Sequence, residues 1–217
     1  MTLLELFANM FSEGGFFMYP ILLCAVFGMA ISLERFFYVF LRISVDAPTF
    51  VGHIQRELLN GSVDGALRLC NGEPSAALAR VLKSALVRAG RPESELKSAV
   101  EETCLEVQPL VSRRLSYLPM IANVSTLLGL LGTIQGLIVS FHAVTGQQAA
   151  DRSTTLASGI AVAMYTTFFG LLVAIPILVS HSLLAARANL VLDDIDHYSL
   201  KLVNLLSNTR GSAPFPD

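Results

Sequence analysis

The sequence lacks tryptophan and has only three cysteines among its 217 residues. Cys24, Cys70 and Cys104 are widely spaced, and no C-x-x-C motif or adjacent histidine accompanies them. An odd number of isolated cysteines gives neither a disulfide framework nor a cysteine-based metal site. Without tryptophan, the tyrosines are the aromatic anchors available at a membrane surface, and Tyr19 and Tyr38 flank the first apolar stretch.

Charged residues are also scarce, at 15% of the chain, and the net charge at pH 7 is only −2. No cluster of Lys and Arg interleaved with aromatic residues occurs, which excludes a nucleic-acid-binding protein. The chain is 53% apolar with a mean hydropathy of +0.59. This balance is too apolar for a typical soluble domain and too charged for a chain buried entirely in lipid.

Catalytic motifs are missing as well. The sequence has no P-loop and no G-x-G-x-x-G, and no nucleophile, base and orienting residue can be assembled around its four histidines, His53, His142, His181 and His197. We therefore expect no enzyme activity, no cofactor and no metal site.

Three long uncharged runs are the main feature that is present. Residues 14–33 and 115–141 contain no charged side chain, and residues 154–186 contain only His181 and the phenol of Tyr165 as ionisable groups. Each run reaches the roughly 20 residues that a helix needs to cross a bilayer. The sequence predicts three transmembrane helices.

The orientation of these helices follows from their basic residues. Eleven Lys and Arg residues lie between Arg35 and Arg114, whereas the link after the second run has Arg152 alone. Basic residues near membrane segments favour the cytoplasm, so we expect a periplasmic N-terminus, a cytoplasmic loop and a cytoplasmic C-terminus. Glu34 and Arg35 end the first run as a cytoplasmic charge pair at headgroup level, which burial against another helix could also satisfy.

The loop contains the start and stop signals of short helices. Asn60-Gly61, for example, is typical of a helix end, and Ser62 is typical of the N-cap of the next helix. The fold class is an all-α membrane protein with three transmembrane helices, two of them extended into a cytoplasmic helical bundle. The predicted order is an N-terminal amphipathic segment (1–13), a first transmembrane helix (14–41), a cytoplasmic helical loop (42–114), a second transmembrane helix (115–141), a periplasmic link (142–153), a third transmembrane helix (154–186), and a cytoplasmic helix and tail (187–217).

Small and hydroxyl-bearing residues form one face on each of the two longer spans. At 100° per residue, the second span groups Thr126, Gly129, Gly132, Thr133, Gly136 and Ser140, and the third groups Gly159, Ala163, Thr166, Gly170, Ala174 and His181, with Thr167 at the flank. Such faces suit close helix packing in lipid, which is the commoner role of these residues, or a polar cavity. Pro176 frees the carbonyl of Leu172, which either bends the helix or leaves an acceptor that faces water.

Two segments on these spans resemble a known family. GLLGTIQGLIVSF (129–141) and GIAVAMYTTFFGLLVAIP (159–176) are similar to the paired membrane signatures of the ExbB/TolQ/MotA proton-channel family, nearest to its ExbB/TolQ branch. The resemblance also covers the three-span layout, the large loop and the long tail.

The resemblance implies a homopentameric ring in the bacterial inner membrane, around an ExbD/TolR-like single-span partner whose membrane aspartate relays protons. It further implies an effector of the TonB, TolA or motility type. By position, Thr133 and Thr167 resemble the family's channel-lining threonines, and Thr166, Thr126 and Ser140 would accompany them on the proton path. The remaining small residues, Gly129, Gly132, Gly136, Gly159 and Gly170, together with Pro176, would serve helix packing.

Val162 departs from the family pattern, because many ExbB-like sequences have a glutamate there. If that glutamate contributes to the proton path or to cation entry in some relatives, this chain must do without it or belong to a branch in which the partner supplies all the charge. A purely structural oligomeric scaffold that conducts no ions is the alternative. A secondary transporter is disfavoured, because three spans show neither paired repeats nor a broken helix with a charged site.

Overall fold

The computed structural model describes residues 11, 14–43, 45–146 and 149–212. The predicted amphipathic segment 1–13 lies outside these residues except for Phe11, as do residues 147–148 of the predicted link and the last five residues of the tail. Within the described part of the chain, every regular element is a helix.

Seven α-helices follow one another between residues 14 and 212, in the part of the chain that the structure describes. They are α1 (Met18–Phe37), α2 (Ala47–Leu59), α3 (Val63–Gly72), α4 (Ala77–Val87), α5 (Glu93–Ser112), α6 (Tyr117–Gly146) and α7 (Ala149–Ser212). A π-helical turn, Tyr38–Ile43, continues α1. Among the described residues, three stretches are long and apolar enough to cross a membrane, at Met18–Phe40, within Glu93–His142 and within Arg152–Asn208. The predicted all-α membrane fold with three spans is confirmed.

The chain divides into two compact units. The first takes the described residues of Met1–Glu34 and of Arg114–Ser182, and the second takes those of Arg35–Arg113 and of Leu183–Asp217. Helix α7, 64 residues long, contributes to both units without a break.

The first unit is built from α1, α6 and the first part of α7. Outward-lying apolar side chains such as Leu127, Ile134 and Phe168 are about half exposed or more. This is the arrangement of helices whose apolar circumference meets lipid rather than water. Polar buried residues, among them Ser125 and Thr166, lie between the helices instead.

The second unit is a helical bundle with an aliphatic core. Its core consists of aliphatic side chains that are at most a few per cent exposed, from α2 (Val51, Ile54, Leu58), α4 (Val81, Leu82), α5 (Leu96) and α7 (Ile195, Leu202, Leu206). The spacing of the α7 residues is the three-to-four period expected of a helix with one buried side. Ser62 accepts a hydrogen bond from the backbone N–H of Gly65 at 3.0 Å, which confirms it as the N-cap of α3.

A turn separates α5 from α6. Residues 113–116 leave the helical path, and Arg114 has a φ of +64°, a left-handed conformation that is uncommon for a side-chain-bearing residue. Arg114 also forms an ion pair with Glu34 at the end of α1. The second span therefore begins at a defined break in the backbone rather than as an extension of α5.

Candidate functional site: the facing sides of α6 and α7

Glycines bring the backbones of α6 and α7 into direct contact in the first unit. A methyl group added at Gly129 would lie 3.1 Å from the Thr166 carbonyl oxygen, and one added at Gly170 would lie 2.8 Å from the Ser125 carbonyl oxygen. At 2.8 Å a methyl group fits only if the backbone shifts, and at 3.1 Å the neighbouring backbone must still give by a few tenths of an ångström. These two glycines set how closely the helices approach.

The same close approach continues along the helices. A methyl group at Gly136 would lie 2.8 Å from the backbone nitrogen of Ala163, and one at Gly159 would lie 2.7 Å from the Gly136 carbonyl oxygen. A methyl group at Gly132 would overlap the side chain of Thr166. All five glycines singled out from the sequence are thus brought together between α6 and α7 within one chain.

Buried hydroxyls occupy the spaces beside the glycines. Ser140 Oγ donates within its own helix to the Gly136 carbonyl at 3.0 Å and is 3.3 Å from the Leu156 carbonyl of α7. Thr166 Oγ1 lies 3.0 Å from the carbonyls of both Val162 and Ala163. Each hydroxyl has one proton to donate, so these protons are engaged by backbone acceptors.

Ser125 belongs to this interface although the sequence did not single it out. Its side chain is fully buried, and Oγ donates across the interface to the Gly170 carbonyl at 3.2 Å. The helical wheel misses Ser125 because it is centred on the side of the helix that carries Thr126. Consecutive residues point about 100° apart, so Ser125 lies off that side.

Thr167 and Thr133 lie at the flank of the interface, both partly exposed. Thr167 Oγ1 is 3.3 Å from the carbonyl of Gly129 in α6 and 3.3 Å from that of Ala163 in its own helix. Thr133 follows Gly129 by one helical turn, and its Oγ1 donates to the Leu130 carbonyl at 2.6 Å. The hydroxyl of Thr167 therefore reaches α6 one turn from Thr133.

Thr126 is the most exposed of the candidate hydroxyls. Its Oγ1 donates to the Ala122 carbonyl at 3.1 Å, within α6. The structure does not bring it into the packed interface with Ser140 and Thr166.

Pro176 lies in α7 beside α1. It lines a groove of about 270 Å³ together with Met29, Ser32 and Leu172. Because proline has no N–H, the Leu172 carbonyl cannot receive the helical hydrogen bond from residue 176. Ser32 Oγ is buried and has no hydrogen-bond partner among the described residues.

The structure gives Glu34 a different partner from its sequence neighbour Arg35. Glu34 accepts two hydrogen bonds from Nη1 of Arg114, at 2.6 Å and 2.5 Å. The guanidinium of Arg35 is 3% exposed and lies 4.9 Å from the ring centroid of Tyr38. Consecutive residues on a helix do not face each other, which is why these two side chains separate.

The site carries hydroxyls but no acid. Residues 115–141 and 154–186 contain no Asp or Glu. No group of three or more His, Cys, Asp or Glu side chains that could hold a metal occurs among the residues that the structure describes. The interface can exchange hydrogen bonds with water or with a carboxylate, but neither span supplies a carboxylate of its own.

Comparison with known proteins decides the family. The family model described as the MotA/TolQ/ExbB proton channel family matches residues 73–197, more than half of the chain. This protein belongs to that family. The matched region includes α6 and the part of α7 that packs against it, so the family resemblance of both signature segments is confirmed.

Curated relatives support the same assignment. A putative biopolymer transport protein ExbB homolog of Methanothermobacter thermautotrophicus is 30% identical over 200 residues, which cover 92% of this chain and 68% of the relative. The biopolymer transport protein exbB1 of Vibrio cholerae is 30% identical over 196 residues, covering 88% and 84%. The Tol-Pal system protein TolQ of Haemophilus influenzae is 30% identical over 128 residues, covering 57% and 55%.

Membership and structure together establish the coarse function. The chain is a subunit of a proton-channel family and, with its three apolar helices, a multi-pass inner-membrane protein. The family is one of channel and transport subunits rather than a known enzyme class.

Proposed function

We propose that this chain is an ExbB/TolQ-like subunit of a proton-driven inner-membrane motor. In this proposal the subunits form a homopentameric ring around an ExbD/TolR-like single-span partner. The partner's membrane aspartate carries the proton, and the proton-motive force energises outer-membrane transport, envelope integrity or surface motility. The N-terminus is periplasmic and the C-terminus cytoplasmic, in keeping with the eleven basic residues between Arg35 and Arg114.

The observation that carries this proposal is the pair of flanking hydroxyls. Thr167 of α7 contacts α6 through its Oγ1, which is 3.3 Å from the Gly129 carbonyl. Thr133 lies one helical turn after Gly129 on α6. Both are partly exposed, so their lone pairs remain available to water or to a carboxyl group of a partner helix. With no carboxylate in either span, a carboxyl group from a partner is the natural complement.

A scaffold that conducts no ions is the second candidate, and the buried hydroxyls favour it. Ser125, Ser140 and Thr166 all donate to backbone carbonyls, as helix packing alone would require. These residues have no proton left for a transfer path without first breaking a bond.

The two candidates predict different results for a Thr133→Val, Thr167→Val double variant. Valine keeps the shape of threonine and removes the hydroxyl. A hydrogen bond to a charged group contributes about 1.5 to 3 kcal/mol, so its loss should shift the partner's protonation equilibrium by about tenfold or more. We expect the variant to assemble normally and to lose activity that depends on the proton-motive force.

The measurement is proton flux into vesicles containing the complex with its partner, at matched membrane expression. Thr→Ser at both positions restores the hydroxyl and should retain much of the flux. Ser158→Ala is the matched control, because it removes an exposed hydroxyl that bonds only to the Thr155 carbonyl of its own helix. Wild-type flux in the double valine variant would leave the scaffold as the better reading.

A further inference from the structure

A cavity of about 420 Å³ opens among α3, α4 and α5 in the second unit. It collects side chains from three separate stretches: Cys70 and Asn71 at the end of α3, Arg80, Lys83 and Ser84 on α4, and Thr103 on α5. The apolar part of its wall includes Ala79 and Val87.

The cavity lining is positively charged. Arg80 and Lys83 lie one helical turn apart on the same side of α4, and no Asp or Glu is among the described residues that line the cavity. Neither cation forms an ion pair with a described residue, whereas Lys97 is paired with Glu93 and Arg114 with Glu34. Two neighbouring cations without a counter-charge repel each other, so an anion between them would be favourable.

The charge of Lys83 acts on the interior of the cavity as well as on its rim. Burial raises the pKa of the Cys70 thiol to about 11, and the positive charge of Lys83 opposes this rise. Cys70 is 2% exposed and stays neutral at pH 7, so it brings no negative charge that would neutralise the lysine.

Three of the side chains that line the cavity keep N–H donors available to a ligand. Ser84 Oγ donates to the Val81 carbonyl at 2.7 Å, and Thr103 Oγ1 donates to the Ala99 carbonyl at 2.9 Å, so both hydroxyl protons are engaged. The guanidinium of Arg80, the ammonium of Lys83 and the amide of Asn71 remain. A fork of N–H donors beside a compact positive charge is the combination that binds phosphate oxygens.

We propose that this cavity binds a phosphate-bearing ligand, with Arg80 and Lys83 on the phosphate oxygens and a small apolar group of the ligand against Ala79 and Val87. A soluble phosphate monoester and the headgroup of an anionic phospholipid share this chemistry. The site is independent of the proposed proton path.

The test uses the full chain in detergent micelles with phenyl phosphate and inorganic phosphate as probes, followed by ³¹P NMR line broadening. Arg80→Gln and Lys83→Gln should each weaken phenyl phosphate binding about tenfold, and the double variant should show none. Both side chains are exposed, so circular dichroism should show unchanged helix content. Arg88→Gln is the matched control, since Arg88 follows the same helix but does not line this cavity.

Binding of phenyl phosphate that weakens with salt and requires both cations supports the proposal. Competition from nanodiscs of phosphatidylglycerol, but not of phosphatidylcholine, identifies the lipid headgroup as the source of the phosphate. If phenyl phosphate binds equally well in the presence of either kind of nanodisc, the ligand is a soluble phosphate monoester. Absence of broadening with the wild-type chain, equal broadening with the double variant, or binding of a polyglutamate peptide in place of either phosphate probe would overturn it.

Discussion

Ser125, Ser140 and Thr166 are buried on the facing sides of α6 and α7, whereas Thr133 and Thr167 remain partly exposed at the flank. Residues of the same chemical type therefore fall into a buried and a partly exposed group. A shift of one position along the helix, as from Thr166 to Thr167, turns the side chain by about 100° and moves it from one group to the other. The buried group satisfies its hydroxyl protons on backbone carbonyls of the two helices. Thr133 and Thr167 also bond to backbone carbonyls, but their partial exposure leaves each hydroxyl accessible at the edge of the interface.

Ser125 gives a direct test of the buried group. Ser125→Ala removes the hydrogen bond from Oγ to the Gly170 carbonyl, and we expect a loss of about 0.6 to 1.5 kcal/mol in the free energy of unfolding. The measurement is denaturant unfolding of the full chain in detergent, followed by circular dichroism. Ser158→Ala serves as the control, because its bond is local and exposed, and it should change the free energy little. Equal effects of the two substitutions would show that the bond across the interface contributes nothing beyond a local one.

Helices α6 and α7 form one packed pair because both carry small residues along one side. The glycines of α6 lie against the backbone of α7 and the glycines of α7 against that of α6. Association in lipid has no hydrophobic driving force, so this close packing and the hydrogen bonds across it hold the pair together.

Gly136→Ala tests the packing at a single methyl group. The added carbon would lie 2.8 Å from the backbone nitrogen of Ala163, and a backbone atom cannot move aside as a side chain can. We expect a loss of about 1 to 3 kcal/mol in the free energy of unfolding, as for other overpacked interiors. The helices should separate locally. A disulfide cross-link between a cysteine placed on α6 and one placed on α7 should therefore form with a lower yield than in the unmodified pair.

Gly52→Ala is the matched control for Gly136→Ala. Gly52 lies in α2, and a methyl group there meets nothing within 4 Å. Because alanine favours helix over glycine by about 1 kcal/mol, this substitution should stabilise the chain. A similar change in both variants would contradict the packing argument, since helix propensity alone would then explain the result.

The small faces could be predicted from the sequence, but their partner could not. A wheel at 100° per residue places Gly129, Gly132 and Gly136 on one side of α6, and the structure has them there. The periodicity carries no information on whether that side meets α7, another copy or a polar cavity. Contact between two helices depends on their relative rotation and register, which the sequence of each helix does not contain.

The flank of the face was harder to place. The wheel groups Thr133 with Gly132 and Gly136, yet only the glycines are buried. An arc of about 60° on either side of one line includes both the buried centre and the accessible edge. Glu34 shows the same limit, because its ion pair with Arg114 spans 80 positions in the sequence.

For the whole molecule, three apolar spans and an asymmetric charge distribution together predict what faces each side of the membrane. With three spans, we expect the two termini on opposite sides. The stretch between the first and second spans has eleven Lys and Arg residues and the stretch between the second and third has one. Translocating the first stretch would move many positive charges across the bilayer, so it should remain in the cytoplasm.

Single cysteines at Ser94 and Ser153 test this topology in a background with Cys24, Cys70 and Cys104 replaced by alanine. Both serines are exposed, Ser94 at the start of α5 and Ser153 near the start of α7, so a reagent can reach either one. A membrane-impermeant maleimide should label position 153 in intact spheroplasts and position 94 only in inverted vesicles or after permeabilisation. Permeabilised samples of both variants control for reactivity, because each should then label to the same extent. Labelling of both positions from one side would show that α6 does not cross the membrane. The proposed proton path would then fail, because it requires α6 and α7 to be neighbouring transmembrane helices.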